Sequence, residues 1–76
     1  MQYVARFFKD GNGIGVVFPD VPGAFTCADS LEEAMQKAKE ALNGVLRSML
    51  ERHDSLPDAK TKANAEKRLI PIDAGI

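Results

Sequence analysis

The chain has 76 residues, room for one small domain. Hydrophobic residues make up 45% and charged residues 28%, the balance of a globular rather than a disordered chain. Ten Lys and Arg against eleven Asp and Glu leave a net charge of −1, without the basic footprint of a nucleic-acid binder. Along the chain, Tyr3 to Phe8 is aromatic and β-branched and reads as a first strand. Tyr3, Ala5 and Phe7 share one of its faces; Val4, Arg6 and Phe8 share the other. Lys9-Asp10-Gly11-Asn12-Gly13 is a hairpin turn signal, because Gly and Asn tolerate positive φ. Ile14 to Phe18 follows as an antiparallel second strand. Pro19-Asp20-Val21-Pro22-Gly23 ends it, since two prolines remove ladder donors. Ala24 to Ala28 reads as a short third strand.

The helix signal is the strongest in the chain. Ser30-Leu31-Glu32-Glu33 fits a capping box, with Ser30 and Glu33 exchanging side-chain and amide contacts. Leu31, Met35, Ala38, Leu42, Val45 and Met49 then recur at helical spacing, which marks them as the core stripe. Glu33, Lys37, Glu40, Arg47 and Glu51 lie opposite, and Glu33 with Lys37 is a favourable i,i+4 pair. The helix is expected to end near Arg52. Gly44 inside it costs about 1 kcal/mol against Ala and suggests close approach of another element. Residues 53–67 read as a loop with a helical turn around Ala59 to Ala65. Arg68 to Ile72 reads as a last strand, with Pro71 marking an edge or a strand end.

The expected fold is α+β, in the order β-β-β-α-β. The three-strand meander is followed by a helix that crosses over the sheet. The fourth strand would then lie beside and parallel to the first, with a right-handed crossover. This gives a four-stranded mixed sheet of order 3-2-1-4, one long helix on one face, and residues 1–76 as a single domain. The second face, with Phe8 and Val17, is left open as a place for a partner.

Little in the chain suggests catalysis. Asp10, Asp20, Asp29 and Asp54 fall at turns or element ends, where Asp is favoured for backbone reasons. His53 is the only His and follows the helix, where a basic group suits the dipole. Cys27 has no neighbouring base and reads as buried filler. The glycines at 11, 13 and 15 lack the Walker lysine and the dinucleotide-binding spacing. Tyr3, Phe7 and Phe8 could stack bases on a sheet, but few cations accompany them and core packing explains them better. No cofactor or metal is expected. A single Cys excludes an internal disulfide and favours a reducing compartment. No apolar run approaches the roughly 18 residues of a membrane span, so a cytoplasmic location is expected.

The run from Gly15 to Ala34, GVVFPDVPGAFTCADSLEEA, resembles the signature of HicB-like antitoxins. In that family a strand ends in a Pro-Asp-x-Pro-Gly turn. A short strand and an Asp-Ser/Thr-Leu-Glu-Glu-Ala helix start follow. Ala28 stands where many relatives have Gly, a small residue in either case. The resemblance implies a degraded RNase H-like fold without the catalytic carboxylates. It also implies a function, binding a small HicA-type ribonuclease toxin and covering its RNA-facing surface. Many members continue into a DNA-binding domain. No such segment lies within these 76 residues, which are read as the toxin-binding domain alone, without direct nucleic-acid binding.

A toxin that handles RNA should be basic. Asp20, Asp29, Glu32 and Glu33 then offer complementary charge, and Phe18, Val21 and Phe25 offer apolar anchors near them. Capping alone also accounts for Asp29, Glu32 and Glu33. A homo-oligomer is expected from the small size and the open sheet face. Two rival readings are a self-associating subunit with no toxin, and a metal-dependent nuclease that would need carboxylates clustered on the strands.

Overall fold

Residues 1–75 are described by a computed structural model; the single-domain reading extends to Ile76, which lies outside the described residues. β1 (Gln2–Asp10), β2 (Gly13–Val17) and β3 (Phe25–Ala28) form the expected meander. Positive φ at Gly11 (60°) turns the two-residue loop between Asp10 and Gly13. Helix α1 spans Leu31–Glu51 and β4 spans Leu69–Asp73, preceded by a 3₁₀ turn at Ala65–Lys67. That turn falls later than the helical turn expected around Ala59 to Ala65.

The sheet has the expected order, β3-β2-β1-β4. The direction of β4 differs from the expectation. It pairs antiparallel with β1, with Gln2 opposite Asp73 and Arg6 opposite Leu69, so the sheet is antiparallel throughout rather than mixed. The reason is the segment after the helix. α1 starts at the hairpin end of the sheet and runs about 31 Å at the standard helical rise. The chain does not then enter β4 directly. It returns along the molecule, with Pro57 beside Tyr3 and Arg68 beside Phe7, and β4 sets off again in the same direction as α1. The crossover rule for parallel strands therefore has nothing to act on here.

Two devices at the ends of α1 define its length. At the start, Ser30 Oγ accepts from the Glu33 amide at 3.2 Å. The Glu33 carboxylate does not complete the expected capping box; it pairs with Lys37 at 3.2 Å. At the end, the His53 amide donates to Leu50 O and the Asp54 amide to Met49 O, a Schellman closure with His53 at φ 62°.

The core lies between α1 and one sheet face. It is built from Tyr3, Ala5, Phe7, Val16 and Ile72 on the sheet and Ala34, Ala38, Leu42 and Leu46 on the helix. The buried helical stripe is therefore rotated from the expected one. Leu31 and Met35 sit at its margin, 60% and 40% exposed. The small side chains of Ala34 and Ala38 face the sheet instead and bring α1 down onto β3 and β2. Gly44 is not a close-approach site, because a Cβ there would meet open space.

Candidate partner-binding surface

The residues expected to meet a partner divide between the two ends of β3. Phe18, Asp20 and Val21 belong to the turn before it. Asp29, Glu32 and Glu33 belong to the helix start after it. Phe25 lies on the open sheet face between them, 70% exposed.

The turn faces inward. It is closed by Phe18 N–H to Ala24 O (3.2 Å), Val21 N–H to Phe18 O (3.0 Å) and Ala24 N–H to Val21 O (3.1 Å). This folding puts Phe18 and Val21 into the core, 3% and 1% exposed, so neither offers an anchor to a partner. Asp20 is also engaged. Its carboxylate accepts the Thr61 amide at 2.7 Å and the Thr61 hydroxyl at 2.9 Å, tying the return segment to the turn. The bond from the Thr61 amide holds the Asp20 carboxyl below its ordinary pKa, with help from the Thr61 hydroxyl and Lys60 against a desolvation cost. Tyr3 makes the second tie, donating its hydroxyl to Pro57 O at 2.6 Å. Burial there pushes the Tyr3 phenol upward.

The helix start faces outward. Asp29 and Glu32 are exposed and Glu33 is half-buried. Lys37, paired with Glu33, also donates to Cys27 O at 3.4 Å. Its ammonium is held above its ordinary pKa, chiefly by the hydrogen bond to Glu33. Cys27 is exposed, not buried filler; its main-chain groups lie along the free edge of β3, where Lys37 covers the carbonyl.

On the open sheet face, the Arg6 guanidinium stacks 4.9 Å from the centre of the Phe8 ring. The ring fills the space over Gly15, where a Cβ would overlap it. Val17 and Leu69 flank Arg6 in register, with Phe25 beyond Val17.

A feature that periodicity alone did not expose lies beside the helix start. A groove of about 820 Å³ runs between Leu31 and Met35 on one side and Ala65 and Arg68 on the other, floored by Phe7, Ile14 and Ile70. Asp29 stands at its α1 end and Lys9 on its hairpin rim. The available signal was the pair Leu31 and Met35, apolar at i,i+4 and one step off the small-residue stripe. Among the described residues no cluster of three or more His, Cys, Asp or Glu could hold a metal. No described helix is long and apolar enough to cross a membrane.

Residues 3–69 match the family described as the HicB-like antitoxin of bacterial toxin–antitoxin systems. The chain belongs to the HicB-like antitoxin family. It is 37% identical over 65 residues to "Antitoxin HicB 2" of Photorhabdus laumondii, a match covering 86% of this chain and 47% of the relative. It is 44% identical over 57 residues to a 14.9 kDa protein of the rep-hol intergenic region of Haemophilus phage HP1, covering 75% of this chain and 43% of that one. The chain thus spans less than half the length of these two relatives. Its fold matches a chain of the HicA3 and HicB3 toxin–antitoxin complex (TM-score 0.76, 20% identity) over the whole of both chains. It also matches the N-terminal domain of Burkholderia pseudomallei antitoxin HicB (TM-score 0.75, 19% identity), again over both chains entirely.

Proposed function

We propose that this chain is the toxin-binding part of an antitoxin and neutralises a small, basic HicA-type ribonuclease by covering its RNA-facing surface. The observation that carries this reading is the family match over residues 3–69, which runs from β1 to the first residue of β4 and takes in the core apart from Ile72. The outward-facing acidic helix start supports it, because it complements a protein built to hold RNA. In this reading the chain performs no catalytic step, does not itself bind nucleic acid, acts in the cytoplasm, and self-associates.

The test is RNA cleavage by the small basic protein encoded beside this gene, with and without the chain. Stoichiometric inhibition and co-elution are expected. Unchanged cleavage, with the two proteins eluting separately, would remove the toxin-neutralising role.

A further inference from the structure

The apolar layer between α1 and the sheet is covered unevenly. α1 lies over β3 and β2. Beside it, over β1 and β4, the return segment supplies the cover at the end where α1 stops. There Leu56 packs against the core together with Val45 and Met49. At the other end none of the described residues takes that place, and the groove walled by Leu31 and Met35 is the result. Both side chains are exposed, although they stand next to the core and could have been covered by one more packed element.

The rim of the groove is polarised. Asp29 lines the α1 side, Glu32 is exposed in the same first turn one residue from Leu31, and Asp10 lies with Asp29 along the adjoining hollow at the hairpin. Glu33 is neutralised by Lys37, so it adds little net charge. Lys9 and Arg68 stand on the opposite side. The other apolar surface, the open sheet face, has the Arg6 guanidinium stacked on Phe8 at its centre, a cation that a basic partner does not favour, and strand alternation places Asp10 and Asp73 only at its two ends. The free edge of β3 is short and its Cys27 carbonyl is already occupied by Lys37.

We propose that the groove is the seat of the toxin contact. It takes an apolar side chain of the basic partner, whose neighbouring Lys or Arg face Asp29 and Glu32, while its acidic or carbonyl groups face Lys9 and Arg68. The polarised rim sets the orientation in which the partner docks, and the apolar floor supplies the affinity. This rests on the toxin-binding reading and adds the surface that performs it.

The experiment measures the Kd of the small basic neighbouring protein for four forms of this chain by calorimetry. The forms are the wild type, Leu31→Gln/Met35→Gln, Asp29→Asn/Glu32→Gln, and Phe25→Ser on the open face. Circular dichroism and elution volume check that each is folded and of unchanged oligomeric state. The groove pair should lose about tenfold or more in affinity, as expected of a central apolar anchor. The rim pair should lose about threefold at low salt and little at high salt. Phe25→Ser should bind like the wild type. Wild-type binding with an unaffected groove pair overturns the groove while leaving the toxin-binding reading intact. So does a groove pair that alters only self-association, since the seat then belongs to a second copy. Absence of wild-type binding sinks both.

Discussion

The two ends of the helix-side layer use similar apolar side chains and treat them in opposite ways. At the end where α1 stops, the chain folds back on itself. Pro57 and Thr61 are bonded to Tyr3 and Asp20, Leu56 packs on the core, and Phe18 and Val21 are sealed inside. At the end where α1 starts, Leu31 and Met35 are left at the surface, beside carboxylates that point outward. Burying Leu31 and Met35 would have added about 1–2 kcal/mol each by area alone. For so small a domain that is a large sum to leave unused. The difference separates residues that hold the fold from residues free to serve a partner.

Substitutions at the two ends sharpen that contrast. The largest effect is expected at Phe18. Phe18→Ala empties a core position and should cost about 3–5 kcal/mol of unfolding free energy in a urea titration. If the cost is under 1 kcal/mol, the turn is not the sealed end described above.

Asp20 comes next. Asp20→Asn keeps an acceptor but loses the charge, and should cost about 1–2 kcal/mol near neutral pH. Its folded carboxyl is held below the ordinary value, so its contribution is fully present above the unfolded pKa. It is lost as the pH falls through the ordinary carboxylate range, near 4, toward the folded value. Thermal unfolding measured from about pH 7 down to pH 3 should therefore fall more steeply for the wild type than for Asp20→Asn. Parallel curves would mean that the Asp20–Thr61 tie contributes nothing to stability.

The smallest effect is expected at the open end. Leu31→Gln/Met35→Gln should change unfolding free energy by no more than about 0.5 kcal/mol, because both residues are exposed and Gln is a good helix former. A cost as large as that of Phe18→Ala would make the groove a part of the core.

Much of the fold was legible in the sequence because it depends on local chemistry. Period-two residues over 3–8, the Gly11-Asn12 loop, the paired prolines and the Ser30 cap define the elements through backbone sterics and hydrogen bonding that act within a few residues. The HicB-like signature lies in the same stretch, so the family was legible too. The site was less so. Phe18, Asp20 and Val21 look like surface-turn residues in one dimension, yet their side chains are claimed by the core and by Thr61, 41 positions away. Met35 looks like core, yet the helix is rolled toward its alanines.

The sequence by itself determined which segments are strands and helix, the order in which they follow, and the antitoxin signature. Only the tertiary structure decided the direction of β4, the roll of α1 and which apolar residues remain uncovered. Those outcomes depend on where residues 52–68 travel. That path is settled by distant contacts such as Tyr3 with Pro57 and Asp20 with Thr61, which hydrophobic periodicity does not encode.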